Sequence, residues 1–232
     1  MSVAVITGAT KGIGRALALM GAEKGYDLAL CSRTLADLEA FKAELLAINS
    51  AIKVFVQAVD MSKKAEVKAF GEAILQEFEQ VDLLVNNAGV FIPCPLTEAG
   101  HEQSFELMMD TNLYSAYYLT QALLPKMQAQ KSGHIFNMCS IASFMPYGAY
   151  AVSKHAMLGF SRVLREEVKA QGIRVTAVMP GATYTASWEG TELPKERFMK
   201  AEDIAQSVWD CHGLSPQTVV EEIILRPQLG DI

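Results

Sequence analysis

Val3-Ala4-Val5-Ile6-Thr7-Gly8-Ala9-Thr10-Lys11-Gly12-Ile13-Gly14 decides the fold. The apolar run Val3–Thr7 reads as a buried strand, and the amphipathic stretch Gly12–Lys24 reads as a helix. Between them lies a glycine-rich turn. A strand that passes through such a turn into a helix offers the free N–H groups of the helix N-terminus to an anion. Gly8 permits the sharp exit, Gly12 the close approach of backbone to a pyrophosphate, and Gly14 tight packing of helix on strand. Thr10, Lys11 and Ile13 complete the turn. Its spacing, T-G-x-x-x-G-x-G, is one residue longer than the usual dinucleotide fingerprint, so the generic motif is not what matches.

Outward from this stretch, short runs rich in Val and Ile alternate with longer amphipathic ones. Strands are expected at Val3–Thr7, Asp27–Ser32, Lys53–Val59, Leu83–Asn86, His134–Cys139, Arg174–Met179 and Glu222–Arg226. Helices are expected near Gly12–Lys24, Leu35–Ile48, Lys63–Glu79, Glu102–Met127, Tyr150–Gln171 and Ala201–Cys211. Runs apolar on both faces, such as Asp27-Leu28-Ala29-Leu30-Cys31, suit strands covered by helices on each side. The pattern predicts an α/β protein, doubly wound around a parallel sheet, with residues 1–232 forming one domain because no repeat or linker interrupts the series. Ligands of such sheets sit beyond the strand carboxyl ends. Ser32-Arg33, Asp60-Met61, Asn87-Ala88-Gly89, Ser140 and Pro180–Thr185 all fall there.

A net charge of −6 argues against a protein that grips nucleic acid or an anionic membrane. The four cysteines are widely separated with no C-x-x-C pair, so neither a disulfide nor a metal site is expected and a reducing cytoplasm fits. No charged-then-apolar leader and no run of eighteen apolar residues is present, which supports the same location.

The run Tyr150-Ala151-Val152-Ser153-Lys154 places a phenol and an ammonium four residues apart, on one helix face. A free phenol is a poor acid near neutrality, and a neighbouring cation favours its anion. Tyr147 and Ser143 are rivals to Tyr150 and Ser140, but Tyr147 does not fit the four-residue spacing to Lys154.

The wide glycine spacing, Asn86-Asn87-Ala88-Gly89 and Tyr-x-x-x-Lys, in that order, resemble the short-chain dehydrogenase/reductase family in its classical branch, over essentially the whole chain. The resemblance implies a Rossmann-type sheet of seven parallel strands and hydride transfer between NAD(P) and a carbonyl or alcohol. It implies that Tyr150 is the proton donor in carbonyl reduction and that Lys154 also holds the nicotinamide ribose. Ser140 would hold the substrate oxygen, and Asn112 would route protons through Lys154 and water. Asp60 would bind the adenine amino group, with Met61 beside it, and Asn87, Ala88 and Gly89 would pass close to the adenine ribose. Pro180, Gly181, Thr183 and Thr185 would orient the nicotinamide carboxamide. Ser32 stands where a carboxylate binds the ribose 2′-hydroxyl in NAD-dependent members, and Arg33 and Lys11 add cations suited to a 2′-phosphate, so the expected cofactor is NADP(H). Family members pair their long helices across a two-fold axis, which implies a homodimer or homotetramer.

The Ser140–Tyr150 interval, ten residues, is shorter than the family's usual one, so the segment between must run tighter over the site. Phe91, Cys94, Phe144, Tyr147, Tyr184 and Trp188 are candidates for an apolar pocket suited to a neutral ketone or aldehyde, such as a 3-oxoacyl thioester or small ketone. The favoured expectation is an NADPH-dependent carbonyl reductase. An NAD-dependent alcohol dehydrogenase and a non-catalytic NADP(H) sensor are the alternatives.

Overall fold

The computed structural model describes residues 1–185 and 190–232. Its strands are β1 (Val3–Thr7), β2 (Asp27–Ser32), β3 (Val54–Ala58), β4 (Leu83–Asn86), β5 (Gly133–Met138), β6 (Ile173–Pro180) and β7 (Glu222–Leu225). Its α-helices are α1 (Gly12–Glu23), α2 (Leu35–Ile48), α3 (Lys64–Glu77), α4 (Glu102–Met109), α5 (Ser115–Gln130), α6 (Gly148–Val168) and α7 (Ala201–His212). Among the described residues the strands form one parallel sheet of seven in the order β3-β2-β1-β4-β5-β6-β7. The chain runs outward from β1 to β3, then returns to start again at β4. The loops leaving β1 and β4 therefore diverge, and a crevice opens between them at the carboxyl ends of the strands.

The alternation of side chains along β1 shows why both faces must be covered. Ala4 and Ile6 pack into one core with Leu17, Leu38, Val208 and Trp209 of α1, α2 and α7. Val3 and Val5 face the other, with Phe70, Leu123 and Leu164 of α3, α5 and α6. All five residues of β1 are buried. A strand with two dry faces needs a continuous apolar run, and that is the pattern the sequence carries.

Element ends move by a few residues from the sequence expectation, as helix and strand termini do. The stretch expected as one helix over Glu102–Met127 differs more. It divides into α4, a π-helical turn at Asp110–Tyr114, and α5, which continues to Gln130. Asn112 lies inside the π turn, with its side chain bonded to the loop after β4 rather than to its own helix. Single π turns within α-helices concentrate at functional sites.

Candidate active site

One cleft of about 740 Å³ lies over the carboxyl ends of the strands. It gathers Gly8, Thr10, Lys11, Gly12, Ile13, Ser32, Arg33, Asp60, Met61, Asn87, Ala88, Gly89, Ser140, Tyr150, Lys154, Pro180, Gly181, Thr183 and Thr185. Those positions come from six different strand-end loops and one helix, and only the tertiary fold brings them together.

The glycine turn is built for close contact. Gly8 and Gly12 have φ of +64° and +53°, where a side chain would be strained. A Cβ at Gly14 would stand 2.2 Å from the Gly8 carbonyl oxygen, so α1 starts with no room for one. Gly14 does not line the cleft; it is buried beneath the turn. A Cβ at Gly12 would meet Thr185 at 2.9 Å, so the turn and the segment after β6 nearly touch. Thr7 ties the turn to β4: its Oγ1 accepts from the N–H groups of Asn87 and Ala88, both at 2.9 Å. Asn87 Nδ2 donates back to the carbonyls of Thr7 and Gly8 at 2.8 and 3.2 Å. The Asn87 side chain is thus spent on holding the crevice in shape.

At the end of the cleft formed by the loops after β2 and β3, Lys11 and Arg33 are exposed on the rim, with Ser32 half-buried beside Arg33. Asp37 lines the same end, a carboxylate that sequence reasoning did not single out. Burial alone would raise the Asp60 carboxyl. Hydrogen bonds from the Ser62 hydroxyl and N–H, with the charges of Lys63 and Arg33, outweigh it and hold the group below its ordinary value. Met61 is buried and its sulfur accepts from Cys31 Sγ at 3.7 Å.

At the other end α6 presents its motif. Lys154 is 4% exposed, and its Nζ donates to the Met138 carbonyl at 2.7 Å. That Nζ lies 5.8 Å from the centre of the Tyr150 ring. Phe91 packs edge-on against Tyr150 with ring centres 4.9 Å apart. A Cβ at Gly89 would come within 3.5 Å of Lys154 Nζ, so the loop after β4 passes directly over the ammonium. Ser140 caps the 3₁₀ turn Ile141–Ser143: its Oγ accepts from Ala142 N at 3.1 Å and faces the Pro180 carbonyl at 3.5 Å. Its rival Ser143 is 2% exposed and donates to the Lys154 carbonyl at 2.9 Å, away from the cleft. Burial pushes the Cys139 thiol up to about 11, so this cleft-wall sulfur stays protonated near neutrality.

Asn112 is 1% exposed and stands one shell behind the cleft. Its Oδ1 accepts from Val90 N at 2.7 Å, while its Nδ2 donates to Val90 O and to Ser153 Oγ, both at 2.9 Å. Ser153 Oγ in turn donates to the Tyr150 carbonyl at 2.7 Å. The amide clamps the Val90 loop to the first turn of α6, leaving no side-chain N–H for a proton relay.

The short Ser140–Tyr150 interval has a physical account. After the 3₁₀ turn, the chain enters α6 through Gly148 at φ +57°, where a Cβ would lie 2.6 Å from the Cys94 carbonyl oxygen. That carbonyl accepts from Ala149 N at 3.0 Å. Close seating on the Cys94 backbone lets the shortened segment reach the helix.

Of the expected pocket residues, Phe91 and Tyr147 line the cleft. Three do not. Cys94 is buried behind it, in a cluster with Met108 and Ala149. Phe144 is turned out to solvent, 45% exposed. Tyr184 packs edge-on against Phe198 at 5.6 Å, with Lys195 Nζ 5.0 Å from its ring centre. Proximity in sequence and apolar character do not fix the direction of a loop side chain. Trp188 lies outside the described residues. Sequence reasoning missed Thr7 and Ser153, although both sit inside quoted motifs, and Leu107, Thr111, Asp231 and Ile232, which line the cleft from distant positions. No local signal marks the last four.

A glycine turn at a helix N-terminus, a switch-point crevice and a helix-borne Tyr/Lys pair together define a dinucleotide-binding oxidoreductase. A family model described as short chain dehydrogenase matches residues 2–195, and the chain belongs to that family. It is 39% identical over 241 residues to a sepiapterin reductase of Chlorobaculum tepidum, covering 99% of this chain and 98% of that protein. Its fold superposes with a TM-score of 0.89 on an alcohol dehydrogenase from the archaeon Thermococcus sibiricus complexed with 5-hydroxy-NADP, at 33% identity, covering 98% and 97% of the two chains. A TM-score of 0.87 relates it to the L-sorbose reductase of Gluconobacter frateurii complexed with NADPH and L-sorbose, at 28% identity and 97% and 94% coverage.

Proposed function

We propose that this protein is an NADPH-dependent reductase that converts a ketone or aldehyde carbonyl to an alcohol, with a ketone of the sepiapterin kind as its leading substrate. The observation that carries the reading is the convergence of the glycine turn, Ser140, Tyr150 and Lys154 on one cleft. The sepiapterin reductase relative, matched end to end, supports the choice of substrate. The glycine turn at the α1 N-terminus, with Gly12 close to Thr185, suits a pyrophosphate, and Lys11 and Arg33 suit a 2′-phosphate. NADPH, when bound, supplies the hydride.

The chain's own residues handle the oxygen and the proton. Ser140 Oγ orients the carbonyl oxygen, and Tyr150 donates the proton that this oxygen takes up. Lys154, fixed by the Met138 carbonyl, stabilises the phenolate left behind. Asn112 acts by position, holding the Val90 loop and α6 together. The same groups serve alcohol oxidation in reverse, so the direction depends on substrate supply. The solvent-facing Tyr114, Tyr117, Val152 and Val163 of the π turn, α5 and α6 support a homo-oligomer built on these helices, and light scattering tests it.

The direct test follows NADPH consumption with sepiapterin, small diketones, aldehydes and 3-oxoacyl thioesters. Turnover that is strong with NADPH and weak with NADH is the expected result. Tight NADPH binding without turnover on any of these carbonyls would overturn the reductase reading in favour of a sensor.

A further inference from the structure

We infer that Arg226 staples together two walls of the substrate end of the cleft, the segment 141–149 and the segment 226–232, and that this staple sets the affinity for the carbonyl substrate. The inference rests on the function proposed above for the cleft. Arg226 itself does not line the cavity.

The segment after β7 turns back toward the site instead of leaving the sheet. Gly181 N donates to the Leu225 carbonyl at 2.7 Å, and Gly230 N to the Pro227 carbonyl at 2.9 Å, so the chain reverses close to the sheet end. A Cβ at Gly181 would meet Pro227 at 3.1 Å and Asp231 Oδ1 at 3.5 Å. This return brings Asp231 and Ile232 into the cleft wall, near Pro180, Gly181 and Ala182.

One guanidinium touches both walls. Arg226 Nε donates to Asp231 Oδ1 at 3.2 Å while its Nη2 pairs with Asp231 Oδ2, a two-pronged contact. The same Nη2 lies 3.2 Å from Met145 Sδ. Met145 stands between Ile141 and Ala142 on one side and Tyr147 on the other, all of which line the cleft. It belongs to the shortened Ser140–Tyr150 segment, in the stretch between the bonds of Ser143 to Lys154 O and of Ala149 N to Cys94 O. The planar fork suits this task, because it holds a carboxylate in one orientation and leaves an edge for a second acceptor. The side chain of Asp231 is 21% exposed and that of Arg226 43%, so the carboxylate is the shielded partner of a pair at the cleft edge. Paired, Asp231 adds no net charge to the wall.

The test compares wild type with Arg226→Gln and Arg226→Lys, using sepiapterin as a substrate long enough to reach the wall and butane-2,3-dione as one too short. In Arg226→Gln, KM for sepiapterin should rise about three- to ten-fold, the size expected for losing a well-formed, partly exposed ion pair. KM for butane-2,3-dione and the Kd for NADPH should stay within a factor of two or so. Arg226→Lys should recover part of the loss, since an ammonium can pair with Asp231 but not as a fork. An unchanged KM for sepiapterin, or an equal loss of NADPH affinity, overturns the staple.

Hydrogen exchange decides the matter without catalysis. Peptides covering 141–149 and 226–232 should both exchange faster in Arg226→Gln, and acceleration of neither or of only one overturns the inference. Wild-type protein that binds NADPH but reduces neither probe would count against the proposed function, while the exchange experiment still judges the staple.

Discussion

Tyr150, the proton donor proposed above, illustrates how little of such a residue's chemistry resides in the residue. Its ring is held between Phe91 and the Lys154 ammonium, and that ammonium is itself fixed by a backbone carbonyl at the end of β5. Tyr150→Phe keeps the ring packing and removes only the hydroxyl. It should lower kcat by about 10²-fold or more, the range of general acid–base catalysis, with NADPH affinity unchanged. Stopped-flow turnover and cofactor fluorescence check the two halves; intact turnover would remove Tyr150 from the mechanism. At the other end of the cleft, Lys11 and Arg33 face a mixed field, because Asp37 and Asp60 line the same region. A phosphate dianion carries the charge to draw both cations toward it against these carboxylates. The Lys11→Ala/Arg33→Ala double variant should lose about 10- to 100-fold in preference for NADPH over NADH, equivalent to about one or two charge-assisted contacts. Equal Kd values for the two cofactors in wild type would refute this assignment.

At the scale of elements, the π turn is the feature that periodicity could not show. Apolar spacing over Glu102–Met127 reads as one amphipathic helix, and hydrophobic pattern is indifferent to one extra residue in a single turn. What the π turn accomplishes depends on a partner far along the chain. Asn112 satisfies both backbone groups of Val90 and reaches Ser153, so three elements meet at one amide. Asn112→Ala removes two hydrogen bonds from the half-buried Val90 backbone, at a cost of about 0.5–1.5 kcal/mol each. Thermal denaturation should register the loss, and kcat should fall because the loop over Lys154 loosens. Ser153→Ala should be milder, since it removes the bond from Asn112 and the bond to the Tyr150 carbonyl but leaves both Val90 contacts in place. Equal effects of the two substitutions would contradict a clamp centred on Asn112.

At the scale of the molecule, the two ends of the sheet do different work. The cleft occupies the carboxyl ends, while the amino ends of β5 and β6 carry a cluster of the buried His134 and Thr176 with the half-buried Arg174 and His212. The Thr176 hydroxyl donates to Val220 O at 2.6 Å, so His134 Nε2 must be the donor in its 2.8 Å contact with Thr176. The bare Nδ1 of His134 is buried with no hydrogen-bond partner among the described residues. Arg174 donates to the His212 carbonyl at 2.9 Å and closes the end of α7. Burial, with Arg174 and His212 nearby, lowers His134 from 6.5 to about 2, and burial with Arg174 lowers His212 to about 4. Both folded values lie below the unfolded one, so the unfolded chain binds more protons in acid. The stability held by these neutral rings is complete above about pH 6.5. It should fall by about 1.4 kcal/mol per pH unit for each ring as pH drops toward 4. Urea unfolding at pH 7.5 and pH 5 measures the slope, and His134→Asn should flatten it. Stability that does not change between those values would show that the rings are protonated without cost.

Sequence alone determined the parallel, doubly wound sheet and the end of it that carries the site. Strand-length apolar runs must be covered on both faces, and the residues able to bind a nucleotide or move a proton fell after strands. It also placed Tyr150 and Lys154 on one helix face and the glycine turn between β1 and α1, because helix spacing and glycine's φ freedom are local properties. Only the tertiary structure decided which side chains face the cleft. Cys94, Phe144 and Tyr184 turned away from it, while Asp231 and Ile232 entered it from beyond β7. It likewise gave Asn112 and Asn87 their roles as clamps between distant loops. Loop direction and long-range pairing depend on what the rest of the fold places opposite, and no local pattern records that.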